Sequence, residues 1–128
     1  MRELEYPFDS EYILKKSKKI RRQLLENGTV FLPKKIAVLG GSTTHDIVRI
    51  LELFLLHHGI RPEFYESEYA QYWQDVMFDN PELVEFAPDL IYIHTSNRNI
   101  ARYPGMAEDG AQIDAMLEEQ YMHFQAMW

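Results

Sequence analysis

The sequence contains no cysteine among its 128 residues. This absence excludes disulfides, thiolate metal sites and a cysteine nucleophile. Long apolar runs are also missing, because none approaches the roughly 20 residues that a membrane-spanning helix needs. The first ten residues, MRELEYPFDS, do not have the features of a signal peptide. We therefore expect a cytoplasmic protein that has no membrane partner.

Basic residues are scarce beyond the N-terminal quarter of the chain. Residues 1–35 carry nine basic and five acidic side chains, for a net +4, whereas residues 36–128 carry four basic and fifteen acidic ones, for a net −11. Nucleic-acid binding needs clustered Lys and Arg to neutralise phosphates, so this balance argues against a nucleic-acid partner. Only the N-terminal segment could bind an acidic partner.

Several catalytic and binding motifs are absent as well. There is no glycine-rich dinucleotide fingerprint, no P-loop and no Gly-x-Ser-x-Gly nucleophile elbow. The spacing of His, Asp and Glu does not predict a metal site either. With 46% hydrophobic residues the chain is nevertheless globular rather than disordered. We expect a folded domain that holds no cofactor of its own.

The stretch KKIAVLGGSTTHD, residues 34–46, is the most informative part of the sequence. Its predicted strand, residues 35–39, is continuously apolar from Ile36 to Leu39 rather than alternating, which is typical of a central parallel strand. Gly40 and Gly41 then predict a tight turn. A helix follows from about Thr43 to His58, and because it is apolar nearly all round we expect it to be mostly buried. Ligands of open α/β sheets usually bind at such a junction, at the carboxyl edge of the strands.

The remaining elements alternate along the chain. We expect an N-terminal basic helix and lead-in over residues 1–33, and an α/β domain over residues 34–128. Strands alternating with helices predict parallel βαβ units, and therefore a three-layer α/β fold with a flavodoxin-like or SGNH-like sheet. Besides the central strand, the pattern predicts strands at Pro62–Glu66 and Pro88–His94 and a helix capped by Ser67 that holds Tyr69, Tyr72 and Val76. It also predicts a last helix from about Ala107, whose apolar face is formed by Ile113, Leu117, Tyr121, Phe124 and Trp128.

The two ends of the chain carry separate predictions. Asp9 or Ser10 should cap the N-terminal helix, and Gly28 should end it. One face of that helix holds six basic residues between 15 and 22, which indicates either a solvated face or a docking face for an acidic partner. The last helix ends in Met127-Trp128 without a cap, which predicts a truncated or partial domain.

Polar side chains follow all three predicted strands and should meet at one rim of the sheet. They include Ser42, Glu66 and Asn97. Ser42 is the candidate nucleophile, but Ser42 or Thr43 could instead be the helix cap, because Thr43 and Asp46 have capping-box spacing. His45 is a candidate base. We interpret His94 as a packed residue at the end of its strand.

The strand followed by Gly41-Ser42-Thr43, and the later strand followed by Asn97, resemble blocks of the SGNH hydrolase family. The resemblance implies that Ser42 is a nucleophile and that Asn97 contributes to the oxyanion hole. The family's Asp-x-x-His block is absent here. The resemblance therefore implies that the general base lies outside this chain.

A more specific resemblance covers roughly residues 34–100. KIAVLGGSTT and FYESEYAQYWQDVMFDNPELVEFAPDLIYIHTSNRNI are similar to the N-terminal region of FkbH-like proteins. In that family an SGNH-like domain precedes a haloacid-dehalogenase-like phosphatase domain. The resemblance implies glyceryl or acyl transfer to an acyl carrier protein in polyketide or polysaccharide biosynthesis, with Mg²⁺ expected only in the phosphatase-like domain.

Two functional hypotheses follow for this chain. The first is an SGNH-type acyl or glyceryl transferase domain, in which Ser42 and Asn97 are catalytic and acyl carrier protein or the phosphatase-like domain is the partner. The second is a non-catalytic module of the same fold, which binds a small ligand or docks a carrier protein. A stand-alone flavodoxin-like domain is a weaker third alternative. The residues expected to contact substrate are Gly41, Thr43, Thr44, His45, Glu66, Tyr69, Arg98 and Asn99.

Overall fold

A computed structural model describes all residues from 1 to 128. The chain forms a three-stranded sheet with helices on both faces, so the prediction of a three-layer α/β fold is confirmed. Two single turns of 3-10 helix, at Arg2–Leu4 and Asn97–Asn99, complete it. The strands are β1 (Leu32–Gly40), β2 (Ile60–Glu66) and β3 (Leu90–His94), and the helices are α1 (Ser10–Glu26), α2 (His45–His57), α3 (Tyr72–Met77), α4 (Pro81–Phe86) and α5 (Gly110–Gln125).

The strand order is β2-β1-β3, and both pairings are parallel. The central strand β1 is covered on both faces, and Ala37, Val38 and Leu39 are fully buried. In the register, Val38 lies opposite Glu66 of β2, and Gly40 lies opposite His94 of β3. All three strands therefore end at the same edge of the sheet, as the sequence predicts.

Helices α1 and α2 pack together on one side of the molecule. Asp9 caps α1 by accepting a hydrogen bond from the backbone N–H of Tyr12, and Gly28 adopts a positive φ after the helix, so both cap predictions are confirmed. Ile20 of α1 and Leu53 of α2 are nearly inaccessible in the core that the two helices share. The division of the chain at residue 33 stays a prediction.

The two faces of the sheet have separate cores. On the α2 side, Ile36 and Val38 pack against Val48. On the other side, Ala37 and Leu39 pack with residues of α3, α4 and the C-terminal end of the chain, namely Tyr72, Leu83 and Met127. No helix combines the length and the hydropathy that a membrane crossing requires.

Helix α3 is shorter than the sequence predicts. It begins at Tyr72, and Tyr69 lies outside it with 73% of its surface exposed. Ser67 does not cap the helix, because its hydroxyl accepts a hydrogen bond from the backbone N–H of Gly40. Ala70 has a φ of 57°, in the left-handed region, which is incompatible with a helix continuing from Ser67.

Apolar residues of α2 are less covered than their number predicts. Only Val48, Leu53 and Leu56 are buried, so the expectation of a mostly buried helix was wrong. On the flank of α2 that α1 does not cover, a groove of about 600 Å³ separates the helix from β3. Leu51 and Leu90 lie on opposite walls of this groove.

Helix α5 also exposes part of its apolar surface. Leu117 and Tyr121 lie on the face that the sequence predicts to be packed, yet they are exposed, and Trp128 lies beyond the helix with 79% exposure. The buried positions are Met116 and Met127 instead. Of the predicted face only Phe124 packs against the core, so most of the predicted face is wrong and the buried stripe is rotated from it.

Candidate active site

The turn from Gly40 to Thr44 connects β1 to α2 at the carboxyl edge of the sheet. The N–H of Gly40 donates to Ser67 Oγ (3.2 Å), and the N–H of Gly41 donates to the carbonyl oxygen of His94 (2.9 Å). Residues just beyond β2 and at the end of β3 thus hold the turn from both sides. This cross-linking fixes its backbone relative to the sheet.

Asn99 packs directly on this turn. Its Oδ1 accepts from the backbone N–H of Ser96 (2.8 Å), and its Nδ2 donates to the carbonyl oxygen of Gly41 (3.0 Å). A Cβ atom at position 41 would lie only 2.2 Å from Asn99 Nδ2. Glycine is therefore favoured at position 41, because any Cβ there would displace the Asn99 side chain.

Ser42 and Thr43 follow within the same turn. Ser42 is half-buried and its hydroxyl makes no hydrogen bond, while Thr43 is exposed and its hydroxyl is equally free. The backbone N–H groups of Ser42 and Thr43 also have no partner in the protein. An unengaged hydroxyl therefore lies beside unengaged N–H donors, which is an arrangement that can attack a carbonyl and stabilise an oxyanion.

Thr44, rather than Ser42 or Thr43, occupies the N-cap position of α2. Its side chain does not cap the helix, because the buried hydroxyl donates to Glu66 Oε1 instead (3.2 Å). The predicted capping box of Thr43 and Asp46 is therefore wrong. Asp46 pairs with Arg49 one turn along the helix, at 3.1 Å.

The other carboxylate oxygen of Glu66 faces His45. Glu66 Oε2 lies 3.7 Å from His45 Nδ1, which is an ion-pair distance if the imidazole is protonated. The His45 side chain is 76% exposed, whereas that of Glu66 is 33% exposed. One glutamate at the end of β2 thus contacts two consecutive residues at the start of α2.

His94 lies on the opposite flank of the turn, at the end of β3. Its Nδ1 is 3.1 Å from the hydroxyl oxygen of Tyr92, two residues earlier on the same face of the strand. The two rings are also in contact, with centroids 5.8 Å apart. This agrees with the interpretation of His94 as a packed strand-end histidine.

The loop after β3 carries the remaining predicted site residues. Asn97 is exposed, its side-chain amide makes no hydrogen bond, and its carbonyl oxygen accepts from the Tyr103 hydroxyl. Arg98 is exposed and forms no ion pair. Tyr69 is exposed on the loop after β2, and its hydroxyl makes no hydrogen bond. The roles predicted for these three residues stay predictions.

The structure brings Gly41, Ser42, Thr44, His45, Glu66 and Asn99 into one connected rim. Sequence reasoning placed these residues at one edge, but it did not predict which pairs would bond. It also missed Ser67, which was interpreted as a helix cap. A serine directly after a parallel strand is the signal that could have indicated a contact with the neighbouring strand end.

A second polar cluster lies on the face of the sheet that α3 and α4 cover, opposite α2. Asn80 Nδ2 donates to Asp75 Oδ1 (2.7 Å) and to the Tyr65 hydroxyl (3.3 Å). Burial raises the pKa of Tyr65 above its ordinary value, and the neighbouring charge of Asp75 raises it further. This cluster fastens α3 and α4 to β2 and is not part of the rim. No three His, Asp or Glu side chains anywhere in the chain lie close enough together to hold a metal ion.

No protein-family model matches the chain, and no curated protein matches it. Among solved structures, the chain is similar to the N-terminal part of the protein BF1531 from Bacteroides fragilis, described as containing a phosphatase domain complexed with Mg. The match has a TM-score of 0.67 at 17% sequence identity. It covers 87% of this chain but only 29% of the BF1531 chain. This likeness shows a shared α/β fold.

Proposed function

We propose that this chain is the SGNH-like α/β domain of an FkbH-like protein and takes part in glyceryl or acyl transfer to an acyl carrier protein. The observation that carries the proposal is the Ser42 turn. The Ser42 hydroxyl and the backbone N–H groups of Ser42 and Thr43 make no hydrogen bond. The backbone around them is held by Ser67, His94 and Asn99. Preorganised donors beside a free nucleophile are what acyl transfer requires.

In this proposal Ser42 Oγ attacks the carbonyl carbon of the acyl or glyceryl group. The N–H groups of Ser42 and Thr43 donate to the oxyanion that develops, and the unengaged amide of Asn97 is available as a further donor. Asn99 has a different task, since its amide is already bonded to Gly41. It holds the turn rather than the substrate.

The wider context is also part of the proposal. The BF1531 chain that shares this fold is described as containing a phosphatase domain with Mg, and the present chain spans less than a third of its length. We infer that a haloacid-dehalogenase-like domain acts beside this one in the intact protein and holds the Mg²⁺. The residues of the present chain do not form such a metal site.

The test is intact-mass labelling with a serine-directed fluorophosphonate. The wild type should gain one adduct, and Ser42→Ala should gain none. Thr43→Ala is the matched control, because it removes an equally free hydroxyl from the same turn. Ser42 should still gain its adduct in this variant. No adduct on a folded wild type, or an adduct that persists in Ser42→Ala, would refute the nucleophile.

A second candidate function is a non-catalytic docking module, and the surface of α1 favours it. Of its six basic side chains only Arg21 forms an ion pair, with Glu52 of α2 at 2.8 Å. The other five, Lys15, Lys16, Lys18, Lys19 and Arg22, are exposed and unpaired. An unpaired basic face on a chain of net charge −7 suits an acidic carrier protein.

Charge reversal tests this docking face. Lys18→Glu should weaken binding of a carrier protein and reduce its dependence on salt, because a rim charge acts mainly through long-range attraction. Arg61→Glu is the control, since Arg61 is an exposed basic residue of β2 that forms no ion pair and lies outside α1. Equal effects of the two substitutions would exclude a specific role for α1.

A further inference from the structure

We propose that His45 is the general base for Ser42 and that Glu66 positions its imidazole. The inference rests on the proposed function, and it places within this chain a base that the family resemblance implies to lie elsewhere. Three features of the rim carry it: the division of the Glu66 carboxylate between two partners, the direction of the His45 ring, and the surroundings of the other histidines.

The Glu66 carboxylate is held in place by its two contacts. Thr44, which is 6% exposed, donates its hydroxyl to Oε1 at 3.2 Å, so one oxygen is fixed from the helix side. The other oxygen then faces His45 Nδ1 at 3.7 Å. The Thr44 hydroxyl therefore bonds to Glu66 rather than to a backbone N–H of α2, although Thr44 occupies the N-cap position. This bond holds Glu66 at the start of α2.

The direction of the contact selects a tautomer of the imidazole. A carboxylate at Nδ1 favours the form in which Nδ1 carries the hydrogen, because the hydrogen is attracted to the negative oxygen. The Nε2 atom then carries the lone pair that a base needs. Only Thr43 and Thr44 separate His45 from Ser42 along the chain, so Ser42 lies two residues before the N-cap of α2 and His45 is the first residue of that helix.

The other four imidazoles are less suited to this role. His57 and His58 lie at the far end of α2, and His123 stacks on Trp73 with ring centroids 3.9 Å apart. His94 lies near the turn, but its Nδ1 contacts the hydroxyl of Tyr92 rather than a carboxylate. His94 is therefore the rival that an experiment must exclude.

The proposed step balances as an ordinary acyl transfer. As Ser42 Oγ forms its bond to the carbonyl carbon, its proton passes to His45 Nε2. The bond to the leaving oxygen or sulfur then breaks, and His45 returns the proton to that leaving group. Glu66 stays ionised throughout and stabilises the imidazolium that forms between the two transfers.

The test compares fluorophosphonate labelling rates at Ser42 in the intact chain. His45→Gln should lower the rate by about 100-fold, which is the lower range for loss of a general base. Glu66→Gln keeps an oxygen for Thr44 and should lower it about tenfold, or roughly 1.4 kcal/mol. His94→Gln tests the rival imidazole and keeps the backbone carbonyl that accepts from Gly41, so it should lower the rate far less than His45→Gln does. His58→Gln, at the far end of α2, is the matched control, and its rate should stay within about twofold of the wild type. Circular dichroism checks that each variant is folded.

The outcomes separate this inference from the proposed function. A wild-type rate retained in His45→Gln, or a loss in His94→Gln alone, would overturn the role of His45 while Ser42 remains the nucleophile. No labelling of the folded wild type would refute the nucleophile itself, and with it any base.

The positioning role of Glu66 has its own readout. Imidazole ¹⁵N spectra of the wild type, recorded with neutral imidazoles, should show the His45 hydrogen on Nδ1. Glu66→Gln should shift the tautomer equilibrium of His45 towards the Nε2–H form. Glu66→Asp should retain part of the wild-type signature, because it keeps the charge. A tautomer ratio that is the same in all three proteins would contradict the positioning role.

Discussion

Replacing Gly41 by alanine should destabilise the protein through the contact between Asn99 and the turn that carries Ser42. The added Cβ would lie 2.2 Å from Asn99 Nδ2 and 2.4 Å from Asn99 Cγ, closer than van der Waals contact permits. Asn99 would have to move, which breaks its 3.0 Å hydrogen bond to the Gly41 carbonyl. Losing that bond costs about 1 kcal/mol, and the overpacking adds about 1–3 kcal/mol.

The free energy of unfolding in urea measures this effect, and we expect Gly41→Ala to lower it by about 2–4 kcal/mol. Gly105→Ala is the matched control, because nothing lies within 4 Å of a Cβ at that position. Adding Asn99→Ala removes the clashing side chain, so the double variant should be more stable than the sum of the two single changes predicts, by at least about 0.5 kcal/mol. A Gly41→Ala variant as stable as Gly105→Ala, or strictly additive effects, would refute the reasoning.

Three further predictions concern the framework around the site. Ile20→Ala should cost about 2–5 kcal/mol in urea unfolding because it opens a cavity between α1 and α2, whereas Leu14→Ala, at a side chain 45% exposed on the same helix, should cost much less. Ala87→Gly should raise stability by about 0.5–1 kcal/mol, because Ala87 has a φ of 49°, which strains any residue with a Cβ; a loss of stability would contradict this. A hydrogen bond from the Lys35 N–H holds the pKa of Asp89 below its ordinary value of 3.8, so its contribution is present above that pH and is lost as the pH falls through the lowered value. Stability of Asp89→Asn, followed by acid titration, should therefore vary less with pH below about 3.8 than that of the wild type.

Much of the fold was predictable because it depends on local patterns. The continuous apolar run of β1 predicts a central strand, and the alternation of strands and helices predicts the parallel sheet. The caps of α1 were predictable for the same reason, since Asp9 and Gly28 act within their own turns. These features need no knowledge of distant neighbours.

The errors arise where a tertiary contact competes with a local one. Thr44 and Ser67 both have hydroxyls that could cap a helix, but each bonds to a neighbouring strand or its turn instead. The burial of α2 was overestimated because apolar composition cannot tell which flank of a helix has a neighbour. The same limit applies to α5, whose buried stripe depends on how the helix rotates against the sheet.

The candidate site was predictable as a place but not as a network. Parallel strand ends meet at one edge, so the convergence of Ser42, Glu66 and the loop after β3 follows from topology. The specific pairings, Asn99 with Gly41 and Glu66 with His45, depend on side-chain positions within an ångström or so. No pattern in the sequence distinguishes Asn97 from Asn99 in this respect.

We propose that Ser42 forms a covalent ester during acyl or glyceryl transfer. The most direct measurement is to incubate the chain with an acyl-pantetheine thioester and to locate any added mass by peptide sequencing. We expect one acyl group on the peptide that contains Ser42, absent in Ser42→Ala and present in Thr43→Ala. A folded wild type that stays unmodified at saturating thioester, or an acyl group found on another residue, would contradict it.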